Sequence, residues 1–108
     1  MRTHVLLLVL GFAFKAQADT ITLVTDPWCP YACQPNSERP GYMVELAKAV
    51  FEPLGHRIDY QVLPFARAVQ KVEAGKADGL VGEQKVPERG AFYFPDQAQG
   101  IARACFYT

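Results

Sequence analysis

The chain has 108 residues, half of them apolar, and its 11 basic residues balance its 11 acidic ones. That length holds one small domain with a modest core. A neutral balance without charge runs offers no basic face to nucleic acid, and no low-complexity tract or internal repeat divides the chain.

Arg2 precedes an unbroken apolar run from Val5 to Phe14, and Ala16-Gln17-Ala18 supplies the small-x-small pattern that a signal peptidase reads. The run is shorter than the roughly 20 residues that a bilayer span needs. Residues 1–18 are therefore expected to be a signal peptide cleaved after Ala18, leaving Asp19 at the new N-terminus. No cysteine stands at the cleavage point to carry a lipid anchor. The competing reading is a buried N-terminal element of a cytosolic domain. Without Arg2 and Lys15, the remainder carries two more acidic than basic residues.

Thr20 to Thr25 alternates and is rich in β-branched residues, so it reads as a strand that Asp26-Pro27 ends. Prolines 27, 30, 35 and 40 make the stretch up to Gly41 a loop. Gly41 to Leu54 is the strongest helix, with Met43, Leu46, Ala47, Val50 and Leu54 on one face. Pro53 disfavours helical geometry at Glu52, and Gly55 serves as a left-handed stop. Arg57 to Leu63 alternates as a strand. Pro64 opens a second helix whose apolar face is Phe65, Ala68, Val69 and Val72, and Gly75 ends it. Asp78 to Gly82 is a short apolar strand, as in the buried middle of a parallel sheet. Phe92 to Pro95 and Ile101 to Thr108 read as further extended pieces.

This β-α-β-α-β order with short connections implies an α/β fold with a parallel sheet. Ligands of such sheets bind at the carboxyl ends of the strands. The loops after Asp26, Leu63 and Gly82 are therefore where function is expected.

Cys29 and Cys33 are separated by three residues rich in turn formers, and in an exported chain a disulfide that stiffens the loop is the first reading. A redox centre is the sharper alternative. It is disfavoured by the extra residue relative to Cys-x-x-Cys, and because Pro35 and Pro40 forbid the long helix such motifs open. Free thiols or metal ligation remain open. Cys105 is left over, either as a free buried thiol or with its partner elsewhere.

Glu83 to Gly90 follows the third strand. Backbone N–H groups after Gly82, the Gln84 side chain and the Arg89 guanidinium can converge there on an anion, and arginine clamps a carboxylate through two parallel hydrogen bonds. Taken alone, the stretch reads more simply as a solvated turn. Trp28, Tyr31, Tyr42 and Phe65 either wall a small-molecule pocket or pack the core. Arg67 is equally a ligand contact or a surface ion-pair partner. Asp26 and Glu83 are a possible carboxylate pair. His4 and His56 have no catalytic setting, and the sequence has no metal-ligand spacing, no Ser/His/Asp grouping and no phosphate-binding glycine loop.

The ordered blocks Gly41-Tyr42-Met43-Val44-Glu45-Leu46-Ala47-Lys48-Ala49-Val50, Leu63-Pro64-Phe65-Ala66-Arg67-Ala68, Glu73-Ala74-Gly75-Lys76-Ala77-Asp78 and Gly82 with Pro87-Glu88-Arg89 resemble the family 3 periplasmic solute-binding proteins. These are the polar amino-acid-binding components of ABC importers. The resemblance covers nearly all of Ile21 to Thr108. It implies a two-lobed fold that closes on an amino-acid-like ligand, a periplasmic location, an inner-membrane ABC permease as partner, and no cofactor or metal.

Position by position, the resemblance implies that Asp26 faces the ligand with Trp28 just beyond it, and that Phe65 stacks over the ligand. Backbone at Val81, Gly82 and Gln84 binds a polar end of the ligand, and Arg89 grips its carboxylate. Gln84 stands where the family usually has threonine, and the Cys29–Cys33 loop is not general in it. Residues 19–108 match only the first lobe, so the chain is expected to be an incomplete N-terminal lobe, with the second lobe beyond Thr108. The alternatives on this fold are a dehydratase-like enzyme and the sensing domain of a membrane receptor.

Overall fold

The computed structural model describes residues 18–107, so the expected signal peptide and its cleavage lie outside the described residues. β1 (Thr20–Thr25), α1 (Tyr42–Phe51), β2 (Arg57–Val62), α2 (Phe65–Glu73) and β3 (Gly79–Leu80) follow in chain order. The strands form one parallel sheet in the order β2-β1-β3, as the alternating pattern implied. The register runs from Thr20 opposite Arg57 to Thr25 opposite Val62, and on the other side Leu23 and Val24 face Gly79 and Leu80. Beyond the ladder, the Asp78 carboxylate accepts a 2.7 Å hydrogen bond from the Thr22 N–H, while the Asp78 N–H donates to the Thr22 carbonyl.

The first connection leaves β1 in one direction and the second returns across it. A shared handedness of crossover then puts the two helices on opposite faces of the sheet. The core follows this split through the two-residue period of the strands. Ile21 and Leu23 pack with Met43, Val44, Ile58, Tyr60 and Val81 on the α1 side. Val24, fully buried, packs with Ala68 and Ala77 on the α2 side. β2 is polar towards α2: Lys71 Nζ donates to Gln61 Oε1 at 2.7 Å, and Gln61 Nε2 donates to Asp59.

The buried face of α1 differs from the expected one. Val44 is fully buried, whereas Val50 is 50% and Leu54 69% exposed. Met43 is buried as expected, but Val44 and Phe51, which the expected face left out, join it against the sheet while Val50 turns to solvent. Leu54 lies in a 3₁₀ turn, Glu52–Leu54, where α-helical spacing no longer applies. Gly55 makes the left-handed stop at φ 89°. Pro64 is the N-cap of α2 rather than its first residue, and β3 is shorter than its apolar run. Phe92 to Pro95 and residues 101–107 form no strand, and Tyr93, Ile101, Phe106 and Tyr107 are exposed. A hydrophobic pattern makes a strand only where a neighbour completes the ladder, and among the described residues β3 pairs with β1 alone.

Candidate functional site

The carboxyl ends of β1 and β3 lie side by side, and there the connection from β1 departs one way while β3 arrives from the other. That divergence opens a crevice at the strand ends. A cleft of about 320 Å³ occupies it, lined by Asp26, Phe65, Gly82, Glu83, Gln84, Val86 and Arg89. Its size is at the small end of the range for small-molecule sites.

Each wall has a local cause. Asp26 is the first residue past β1. Phe65 is the first residue of α2, so its ring projects from the helix end and remains 39% exposed. Gly82 turns the chain out of β3 at φ 76°, a left-handed conformation, and the Trp28 indole lies directly over it. A Cβ on Gly82 would meet Met43 Sδ at 3.3 Å and the Trp28 ring at 3.5 Å. Arg89 closes a 3₁₀ turn, Pro87–Arg89, in which its N–H donates to the Val86 carbonyl at 2.9 Å. This fold-back carries the guanidinium to 5.4 Å from the centre of the Phe65 ring, a cation–π contact. Arg89 Nε lies 3.4 Å from Glu83 Oε1, an ion-pair contact that is not a hydrogen bond, and the Nε atom is buried without another partner.

The loop behind the cleft is pinned. Trp28 and Ala32 exchange backbone hydrogen bonds of 2.6 and 2.8 Å, and a disulfide joins Cys29 to Cys33. The Pro30 and Tyr31 carbonyls accept the Tyr42 and Met43 N–H groups, two of the unpaired donors that open α1. Gly41 permits this approach: at φ 117°, a Cβ there would sit 2.5 Å from the Tyr31 carbonyl oxygen. Tyr60 Oη donates a 2.7 Å hydrogen bond to the Cys33 carbonyl, tying the loop to β2. Burial, and secondly the negative charge of Asp26, raise the Tyr60 pKa above its ordinary value.

Of the residues expected from sequence, Asp26, Phe65, Gly82, Gln84 and Arg89 meet in the cleft, and Trp28 reaches it through Gly82. Arg67 is exposed on α2 and does not line the cleft. The Val81 N–H is taken by the Val24 carbonyl at 3.2 Å and is not free for a ligand. Cys105 is a free thiol and exposed, not buried. Glu83 was visible in sequence only as one of two spaced carboxylates, and Val86 carried no signal. The fold-back of Arg89 is what brings both into the cleft.

A larger hollow, of about 600 Å³, runs along the outer edge of β3 between Leu80 and Phe92. Phe92 and Tyr93 also line it, but its charged groups, Glu73, Asp78 and Glu83, are all carboxylates, so it lacks the convergence of opposite charges found in the smaller cleft. Among the described residues, no His/Cys/Asp/Glu grouping is placed to hold a metal ion, and no helix is long and apolar enough to cross a membrane.

Residues 21–94 match the model of the bacterial extracellular solute-binding proteins, family 3. That stretch contains every element of the sheet and every residue lining the cleft, and the chain belongs to that family. Comparison with curated proteins and with solved structures gives no match. The family assigns the chain an extracytoplasmic solute-binding role with a small-molecule ligand.

Proposed function

We propose that this family 3 solute-binding chain captures an amino acid or similar small carboxylate in the periplasm and delivers it to an ABC-type permease of the inner membrane. In this reading residues 1–18 are the signal peptide, and residues 19–108 supply one lobe of a two-lobed binding domain. The observation that carries it is the Arg89 guanidinium held over Phe65, inside a cleft at the divergence of the sheet. A guanidinium held over an aromatic ring can still offer its terminal N–H groups for two parallel hydrogen bonds to a carboxylate. Asp26, which makes no ion pair among the described residues, supplies the negative charge for the ligand's ammonium.

An acid/base enzyme using Asp26 and Glu83 has less support, because among the described residues no contact pairs the two carboxylates with each other, and Glu83 lies 3.4 Å from Arg89 instead. Isothermal calorimetry of the two-lobed protein, with its disulfide oxidised, against a panel of amino acids tests the proposal. Arg89→Ala is expected to weaken binding by about tenfold to a hundredfold, as for loss of charge-assisted hydrogen bonds. Unchanged affinity in that variant overturns the assignment of the site.

A further inference from the structure

The cleft carries a charge pattern that its arginine alone does not explain. Its lining holds two carboxylates, Asp26 and Glu83, against one guanidinium, Arg89. The nearby cations Arg67 and Lys85 are exposed and do not line it. Glu83 is only 12% and Arg89 21% exposed along the side chain, so the pair sits where screening by water is weak. Glu83 approaches Arg89 at Nε, the edge nearer the chain, and Phe65 lies under Cζ at 5.4 Å. The terminal nitrogens at the far edge are left for a ligand.

We propose, building on the solute-binding reading above, that Glu83 determines the ligand class: the cleft selects an amino acid with a second cationic group, an ammonium or guanidinium, and rejects acidic amino acids. The argument is one of complementary charge. A dibasic amino acid presents one carboxylate and two cations, which is the inverse of one guanidinium and two carboxylates. An acidic amino acid presents two carboxylates and one cation, so one carboxylate finds no counter-charge and meets a carboxylate of the protein instead. Opposed like charges in a partly dehydrated site are a strong discriminator. The Trp28 indole, partly exposed beside Gly82, adds an aromatic group at the cleft's rim that an organic cation can approach by its face.

The experiment measures affinities of the two-lobed protein for L-arginine, L-glutamine and L-glutamate at fixed ionic strength, by calorimetry. The wild type is expected to bind in the order arginine, glutamine, glutamate. Glu83→Gln is expected to shrink the arginine-to-glutamate ratio by about tenfold, the order expected for removing one charge a few ångströms from a ligand charge. A general loss from looser positioning of Arg89 cancels in that ratio. Glu83→Asp keeps the charge and is expected to keep the preference. Glutamate bound as tightly as arginine, or a ratio unchanged in Glu83→Gln, overturns this inference and leaves solute binding standing. A wild type that binds no member of the panel overturns the solute-binding reading and this one with it.

Discussion

Two stretches of this chain lack helix and strand almost throughout, and they behave oppositely. Residues 26–41 are rich in proline, yet nearly every turn is tied: by the Trp28–Ala32 bridge, the Cys29–Cys33 disulfide, Cys33 N–H to the Pro40 carbonyl, and the two carbonyls that open α1. Residues 90–107 are the more apolar of the two, yet Tyr93, Phe106 and Tyr107 are fully exposed. Among the described residues, the one hydrogen bond that ties the chain past residue 93 to the lobe runs from Tyr42 Oη to the Gln99 carbonyl, at 2.9 Å. Apolar content therefore does not decide order here. What decides it is whether backbone donors and acceptors find partners at the edge of an element already formed.

The largest effect expected from testing this contrast comes from one glycine in each stretch. Gly41→Ala puts a Cβ 2.5 Å from the Tyr31 carbonyl oxygen, at a backbone conformation (φ 117°, ψ 149°) that is essentially open to glycine alone. The loop must then leave α1, and a loss of about 3 kcal/mol is expected in urea unfolding followed by circular dichroism. Gly100→Ala is the counterpart. It meets only Met43 Cε, at 3.8 Å and without a left-handed backbone, so its midpoint is expected to stay at the wild-type value. Equal effects at the two sites would break the comparison.

The cysteines give a smaller contrast of the same kind. Replacing Cys29 and Cys33 together by serine opens a ring whose ends are four positions apart. Loop-closure entropy for so short a ring corresponds to about 2 kcal/mol. Cys105→Ser touches an exposed free thiol and is expected to change stability negligibly. A double variant as stable as wild type would mean that the hydrogen bonds alone hold the loop.

Sequence patterns revealed the parts of the fold that depend on local period and punctuation. The β-branched alternation of Thr20 to Thr25, the breaks at Pro53 and Gly55, and the loop cysteines each act within a few residues, and each has its expected structural role. Features set by the third dimension were not legible. The rotation of α1 that buries Val44 instead of Val50 depends on where the sheet lies under it. Whether Phe92 to Pro95 becomes a strand depends on a partner that periodicity does not name. In the candidate site, Phe65 and Arg89 lie 24 positions apart and meet only because the Pro87–Arg89 turn folds back. Glu83 could not be assigned a partner until that turn was known.

The smallest expected effect isolates one bond between the pinned loop and the sheet. Tyr60→Phe removes the hydroxyl that donates to the Cys33 carbonyl and is expected to cost about 1 kcal/mol near neutral pH. The pH dependence separates this bond from mere packing of the ring. Burial, and then the charge of Asp26, disfavour the phenolate in the folded state, so the folded pKa lies above the ordinary value of 10.0. As pH rises past the unfolded pKa, the unfolded chain releases this proton while the folded chain keeps it. The unfolded state is thereby favoured. The contribution is fully present below about pH 10 and is lost as pH climbs through the folded pKa, near which the hydrogen bond itself disappears. Phenylalanine has no proton to lose. The stability gap between wild type and Tyr60→Phe should therefore be constant up to about pH 9 and close above pH 10, measured as urea midpoints across that range. A gap that stays constant to pH 11 would mean that the hydroxyl is free in solution, and that the loop owes its attachment to the Pro30 and Tyr31 carbonyls that meet the start of α1.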